Sequence, residues 1–164
     1  MELLVYSALV ALVITFAIIF AISITKETAK SSIRDEVQRN ALSILRAFDF
    51  ETHHAQSVYT ATSDFFGNPG RLSLLSSLAL PAGENLSYLD MYVDAGAFCL
   101  KRELTGVSCI TSSNVEVSSL TFTRLVQAGG EESVQMRTTV RYLHPNAALQ
   151  IPLTVQTSAR LRGY

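Results

Sequence analysis

The residues from Leu3 to Ile24 form an uninterrupted apolar run without a charged residue, a proline or a glycine. A helix of about 20 apolar residues, rising roughly 1.5 Å per residue, spans the hydrocarbon core of a bilayer. Leu, Ile, Val and Phe near the centre of such a helix each favour insertion by about 0.3–0.6 kcal/mol. Together they outweigh the tyrosine and the hydroxyl side chains of the run. The sequence therefore predicts a transmembrane helix over residues 1–24.

A cleaved secretory signal is the main alternative for this run. The apolar core of a signal peptide is about 7–15 residues long and follows a basic segment. The run here is longer, and no basic residue precedes it in the printed sequence. Ala21-Ile22-Ser23 matches a small-x-small cleavage site only weakly. These features favour a retained membrane anchor.

Residues 25–63 predict an amphipathic continuation of the same helix. Charged residues occupy the other faces, and no proline occurs before Pro69. The breaker Gly67-Asn68-Pro69-Gly70 marks the boundary of this segment. The apolar residues are mostly spaced by three or four and form one stripe: Ile33, Val37, Ala41, Ile44, Leu45, Phe48, Ala55 and Val58.

Beyond residue 64 the apolar pattern alternates with a period of two, which is typical of short strands. Candidate strands lie at 72–80, 86–93, 98–104, 115–117, 120–123, 134–142 and 151–157. Candidate turns separate them at 94–96, 105–106, 128–130 and 144–146. This arrangement predicts an antiparallel sheet with one buried face, which the amphipathic helix covers. The predicted fold class is α+β, with a β globular domain over residues 64–164.

Composition and motifs argue against two functional classes. The net charge of −1 offers neither a basic surface for nucleic acid nor an acidic tail. The sequence contains no G-x-S-x-G, no H-E-x-x-H and no phosphate-binding glycine loop. The adjacent His53 and His54 project about 100° apart on a helix, so one ion cannot easily bind both. Asp90, Asp94 and Glu103 are scattered over predicted strands and turns. We therefore expect no catalytic residue, no cofactor and no metal site.

Cys99 and Cys109 are the only cysteines, and they flank a predicted hairpin turn. A disulfide between them is geometrically plausible, and two buried free thiols are the alternative. An oxidising compartment would favour the disulfide. A zinc site is not expected, because two cysteines without a nearby histidine make a poor ligand set.

The N-terminus resembles that of mature type IV pilins and pseudopilins. The opening MELLVY is followed by an uncharged helix, and members of that family often begin Phe-Thr-Leu-Met-Glu-Leu-Leu-Val. Glu2 matches the single acid near the top of their apolar helix, and Met1 matches the residue before it. The layout of a long helix half in the membrane and half on an antiparallel sheet is similar too. Segments 42–66, 94–96 and 115–122 resemble small minor pseudopilins.

The resemblance implies a non-enzymatic subunit that assembles into a type IV pilus or a type II secretion-type fibre. It implies that Glu2 pairs with the N-terminal amine of a neighbouring subunit and sets the axial register. Implied partners are the lipid bilayer, sibling subunits, an inner-membrane assembly platform with a separate cytoplasmic ATPase, and prepilin peptidase. The implied location is the bacterial inner membrane, single-pass, with the globular domain extracytoplasmic. Calcium binding through acidic C-terminal loops, known in some pseudopilins, is not expected because no acidic cluster follows Glu132.

Two observations keep alternatives open. Lys26, Lys30, Arg34 and Arg39 follow the apolar run, and positive charge usually stays cytoplasmic. The family's short basic leader, which is cleaved before the new N-terminus is methylated, is not in the printed sequence. An internal start codon, a leader missing from the record and an unprocessed protein would each explain this.

For Glu2, a carboxylate in the headgroup region that complements the helix dipole is the simpler alternative. For the whole chain, the alternative is a membrane-tethered extracytoplasmic binding module that does not assemble.

Overall fold

The computed structural model describes residues 2–78, 80, 82–127 and 130–162, and the side chains of all of these except 4 and 148. The chain divides into two compact units, Met1–Asp35 and Glu36–Tyr164. Helix α1, Glu2–His53, begins in the first unit and ends in the second. The described residues of the first unit form only helix. All the strands belong to the second unit, so the predicted α+β class is confirmed.

Helix α1 ends at His53, and the predicted continuation to Ser63 is wrong. Residues Ala55–Val58 instead form strand β1, which pairs with the next strand in an antiparallel register. Ala55 and Val58 are buried in this strand. Residues 54–63 are rich in histidine, serine, threonine and tyrosine, which are poorer helix formers than the alanine, leucine and arginine before them. Pairing and burial of the two apolar residues therefore end the helix early.

The first five strands form one antiparallel sheet in the order β1-β2-β3-β4-β5. Its remaining strands are β2 Leu72–Ser76, β3 Ser87–Asp94, β4 Ala97–Arg102 and β5 Gly106–Cys109. The predicted turn at 94–96 joins β3 to β4. Its central residues Ala95 and Gly96 have φ values of 47° and 82°, as a type I′ hairpin turn requires.

The last three strands form a second antiparallel sheet in the order β6-β7-β8. They span Val115–Val126, Glu132–Tyr142 and Pro152–Arg160, and a short 3-10 turn at Ala147–Leu149 precedes β8. The segments 115–117 and 120–123, predicted as separate strands, are parts of β6 on either side of a register shift between Val117 and Ser119. Two residues of the predicted turn at 128–130 lie outside the described residues.

The sequence predicts one sheet, whereas the strands divide into two. The division falls between β5 and β6, where residues 110–114 form no strand. The outer edge of β6 bonds to loops instead of pairing with β5: Val117 N–H donates to the Gly96 carbonyl at 2.8 Å. The short strand β5 and residues 110–114 therefore separate the two sheets.

The core of the second unit lies between the C-terminal part of α1 and both sheets. Val37, Ala41, Ile44 and Phe48 are fully buried and follow each other at steps of four, three and four residues. The ring of Phe48 stacks on that of Phe122 in β6, with centroids 6.3 Å apart. The predicted apolar stripe of the helix is thus confirmed in this region, because a stripe spaced in this way occupies one helix face.

Candidate functional site: the apolar helix and the exposed surfaces of the β domain

The apolar run of α1 is exposed along its whole described length. Every large apolar side chain described between Leu3 and Ile24 is about half exposed or more, from 49% at Ile24 to 86% at Leu3. Soluble monomers rarely expose a contiguous apolar patch of this size. By length and composition the helix can cross a membrane. This confirms the predicted anchor at the level of one N-terminal helix of spanning character.

Several hydroxyl side chains in the N-terminal half of this helix bond to its own backbone. Four hydroxyl groups donate to backbone carbonyls three or four residues earlier, at 2.8–3.0 Å: those of Thr15, Ser23, Thr25 and Thr28. Such bonds matter where no water is available, because each polar group left without a hydrogen bond in hydrocarbon costs roughly several kcal/mol of free energy. The hydroxyl groups of Thr15 and Ser23 in the apolar run therefore remain bonded when the run enters a lipid environment.

Glu2 lies in the first turn of α1 and is exposed. A carboxylate at this end complements the partial positive charge of the helix N-terminus. The next acidic residue along the helix is Glu27, which forms a local ion pair with Lys30 at 3.2 Å. Glu2 belongs to the first compact unit, whereas Cys99 and Cys109 belong to the second.

Cys99 and Cys109 form a disulfide. They face each other across β4 and β5, with Cα atoms 3.9 Å apart. The Phe98 carbonyl accepts from Ile110 N–H at 3.0 Å next to them, so the cysteines occupy a non-hydrogen-bonded pair, where side chains lie closest. The disulfide fastens the short edge strand β5, all four residues of which are exposed.

Polar contacts hold the C-terminal part of α1 in the second unit. The Glu51 carboxylate pairs with Arg102 on β4. Near the start of this unit, Asn40 Oδ1 accepts from Ser112 N–H at 2.8 Å, and Glu36 Oε1 accepts from Ser112 Oγ at 3.1 Å. Sequence reasoning missed these contacts, because their partners lie 51 to 76 residues apart.

A loop between β1 and β2 presents a fully exposed aromatic ring, that of Phe66. The loop is internally bonded: Asp64 Oδ1 accepts from Phe66 N–H at 3.0 Å and from Gly67 N–H at 2.8 Å. Asn68 Oδ1 accepts from Leu120 N–H of β6 at 3.1 Å. The loop is therefore held in place, and its ring is presented to solvent. The sequence carried one signal for it, namely a Phe-Phe pair directly before the breaker.

A shallow cleft of about 320 Å³ lies beside the base of this loop. Its lining includes Thr62, Asp64, Arg71 and Tyr92. The guanidinium of Arg71 lies over the Tyr92 ring, 5.0 Å from its centroid. The cleft thus combines a cation, a carboxylate and an aromatic face.

The remaining candidate residues are dispersed. His53 Nδ1 lies 3.2 Å from Asp49 Oδ1, and the ring of His54 packs on Phe50 with centroids 4.4 Å apart. Asp90 accepts from Ser73 Oγ at 2.6 Å, on the sheet. Within the described part of the chain, no group of three or more His, Cys, Asp or Glu side chains is placed to hold a metal ion.

No protein-family model, no curated protein and no solved structure matches this chain. Any inference about its function therefore depends on three features of the chain itself. They are the exposed apolar helix with Glu2 in its first turn, the disulfide-fastened β domain, and the loop that presents Phe66.

Proposed function

We propose that this chain is a membrane-anchored, non-enzymatic subunit that assembles with sibling subunits through its N-terminal helix, in the manner of type IV pilins and pseudopilins. One observation carries the proposal: α1 exposes an uncharged apolar run at one end and buries a stripe in the core of the β domain at the other. Such a helix needs an apolar environment that the described chain does not supply. Lipid supplies it in the membrane, and the helices of siblings supply it in a fibre.

Glu2 gives the assembly its axial register under this proposal. An ionised carboxylate that leaves water is costly unless it finds an opposite charge. The rest of the apolar run, from 3 to 24, contains no charge that could serve. The N-terminal amine of a neighbouring subunit would neutralise Glu2, and only one axial offset between neighbours brings the two groups together.

The proposed location is the inner membrane, with the β domain on its outer side. The disulfide supports this side, because disulfides persist in oxidising compartments and are rare in the cytosol. Lys26, Lys30 and Arg34 after the apolar run favour the opposite side by the positive-inside rule. We give the disulfide more weight, because a basic leader of the kind found in the resembling family would balance those charges. Processing by prepilin peptidase, an assembly platform and a separate ATPase belong to the same proposal.

A second candidate function has an observation of its own. The exposed Phe66 ring and the cleft lined by Arg71 and Tyr92 form a surface that a tethered binding module would use. In an assembling subunit, the same surface would select neighbours. The two functions differ in what they require of the helix.

A helix exchange separates the two functions. Residues 3–24 are replaced by an unrelated apolar segment of equal length, and Glu2 is kept. An assembling subunit inserts into the membrane but loses cross-linking to its siblings, because the facing helix surface has changed. A tethered module keeps all its interactions. Unchanged sibling cross-linking after the exchange contradicts assembly through the helix, and recovery of the unsubstituted chain in the soluble fraction without detergent contradicts the anchor itself.

A further inference from the structure

The two sheets have four edges, and the edges of the first sheet are both protected. An exposed edge strand offers unpaired backbone groups to other chains, and proteins usually shorten, bend, charge or cover such strands. Strand β1 has four residues and a register shift between Ala55 and Ser57. Strand β5 also has four residues, and the disulfide fastens it to β4. Neither strand offers a long, regular edge.

The β6 edge of the second sheet is bent, and loops cover its first half. A register shift after Val117 interrupts it. Outward backbone groups in its first half already have partners: Val117 N–H donates to Gly96, Leu120 N–H donates to Asn68 Oδ1, and the Leu120 carbonyl accepts from Gly70 N–H at 2.7 Å. Loops therefore occupy the first half of this edge as a neighbouring strand would, and the remaining stretch, residues 121–126, is shorter than β8.

The β8 edge is long, regular and uncovered, and its only proline and only charge stand at its two ends. The strand Pro152–Arg160 has nine residues, pairs with β7 without a register shift, and carries no charge between its first and last residues. Leu161 N–H donates to the Glu132 carbonyl at 3.0 Å. Because every second residue of an antiparallel strand bonds to the same neighbour, the odd-numbered residues of β8 bond to β7. The even-numbered residues point their backbone groups away from the sheet: Thr154, Gln156, Ser158 and Arg160. No hydrogen bond between described residues uses these outward backbone groups.

We propose that β8 is a homodimerisation edge, which pairs antiparallel with β8 of a second copy about a twofold axis at Gln156. In this register Gln156 lies opposite its own copy, Thr154 lies opposite Ser158, and Pro152 lies opposite Arg160. The three-stranded sheets of the two copies then form one six-stranded sheet. The three facing pairs formed by residues 154, 156 and 158 exchange two backbone hydrogen bonds each, and the two pairs between Pro152 and Arg160 form one each. The interface therefore contains on the order of eight inter-chain backbone hydrogen bonds.

The residues of β8 make this register self-complementary. Pro152 has no N–H, but at the strand end it needs only its carbonyl, which accepts from Arg160 N–H. The only charge, Arg160, faces the uncharged proline, so no like charges oppose each other across the axis. The hydroxyl groups of Thr154 and Ser158 face each other and can hydrogen-bond. A second copy presents the same patch by symmetry, as an isologous dimer requires.

The inward face of the strand supports the same occupant. Leu153 and Val155 pack partly buried against the core, and Ala159 is buried. In the proposed register, Leu153 faces Ala159 and Val155 faces Thr157 of the second copy. The apolar layer beneath one sheet thus continues beneath the other, and this adds burial to the backbone bonds.

Cysteine pairs test the register in the full chain in detergent micelles, with the native cysteines joined in their disulfide. Gln156→Cys places two thiols on facing residues with Cα atoms about 5.5 Å apart, within disulfide range. Thr154→Cys is the matched control, because its two copies lie about 14 Å apart along the strands. Thr154→Cys combined with Ser158→Cys restores facing pairs. We expect covalent dimers on non-reducing gels from the first and third variants and none from the second. A monomeric Gln156→Cys chain, equal cross-linking of the control, or linkage only to other polypeptides overturns the proposal.

A charge exchange tests the same pairing without covalent capture. Gln156→Lys places two cations opposite each other, and Gln156→Glu places two anions. Sedimentation equilibrium of the full chain in micelles should give a loss of dimer for each variant alone and a return to dimer mass for their mixture. Gln156 is exposed, so the fold should survive both changes. An unchanged dimer in the lysine variant overturns the proposal. The dimer does not depend on Glu2, so Glu2→Ala should leave it intact, which keeps failure of this inference distinct from failure of helix assembly.

Discussion

The Arg102 guanidinium pairs with the Glu51 carboxylate, which is buried to 3% side-chain exposure near the end of α1. Arg102 lies on β4 and is about one third exposed. The pair joins the helix to the first sheet at the point where the chain leaves the helix for β1. Its two members are not equivalent, since only the arginine has access to water.

Removal of the exposed member should therefore be costly. Arg102→Ala leaves the buried Glu51 charge unpaired, and we expect the free energy of unfolding to fall by about 3–5 kcal/mol. Arg160→Ala breaks the exposed pair with Glu131, whose side chains are 63% and 44% exposed, and should cost about 1 kcal/mol or less. Denaturant unfolding of the full chain in detergent measures both. Equal losses from the two variants would contradict the stated role of burial.

The double variant Glu51→Leu with Arg102→Met is the internal control for this pair. It removes both charges and keeps most of the volume, and such replacements are often neutral or stabilising. We expect it to recover most of the stability that Arg102→Ala loses. A double variant as unstable as the single one would show that the arginine acts through packing and not through its charge.

The disulfide gives a second prediction. Protein taken from an oxidising compartment should have no thiol at Cys99 or Cys109 that alkylates before reduction. Replacement of both cysteines by serine should lower the free energy of unfolding by about 3 kcal/mol, the chain-entropy value for a loop of this length. Mass spectrometry of alkylated protein, with reduced protein as the positive control, measures the first effect. Labelling of both thiols without reductant would contradict the pairing.

The turn between β3 and β4 gives a third prediction, with opposite signs at adjacent residues. Ala95 has a φ of 47°, which costs a residue with a Cβ atom about 1 kcal/mol. Ala95→Gly should therefore raise the free energy of unfolding by about 0.5 kcal/mol. Gly96→Ala should lower it by more than this, because φ is 82° and the new Cβ would lie 2.9 Å from Glu116 Cγ. Thermal unfolding of both variants checks the signs, and a stabilised Gly96→Ala chain would refute the account of this turn.

The features that sequence reasoning predicted correctly depend on local spacing. The apolar run from 3 to 24, the stripe from Val37 to Phe48 and the alternation in β7 each show one period over many residues. The turn at 94–96 contains Gly96, the residue type that a positive φ value favours. In these segments the local preference and the tertiary environment agree.

The features it missed depend on contacts between distant residues. Ala55 and Val58 are three apart, which fits a helix face, yet they form a strand because β2 offers them a pairing partner. The division into two sheets depends on loops that bond to β6, which no periodicity reveals. The Glu51–Arg102 pair joins residues 51 positions apart. Phe65 and Phe66 are adjacent and chemically alike, but only Phe65 packs on the core.

Substitution of Glu2 tests the central claim, assembly through the N-terminal helix, most directly. The measurement is photo-cross-linking between sibling subunits in native membranes, from a probe at the exposed position Ile14. Glu27→Ala is the matched control, because it removes an acid on the same helix that is paired locally with Lys30.

Glu2→Ala and Glu2→Gln should both reduce sibling cross-linking and fibre formation, because neither can neutralise a neighbour's amine. Membrane insertion and the melting temperature of the β domain should stay unchanged, and Glu27→Ala should cross-link as the unsubstituted chain does. Wild-type cross-linking in Glu2→Gln would show that charge pairing is not the mechanism. Wild-type cross-linking in Glu2→Ala would contradict assembly through this residue altogether.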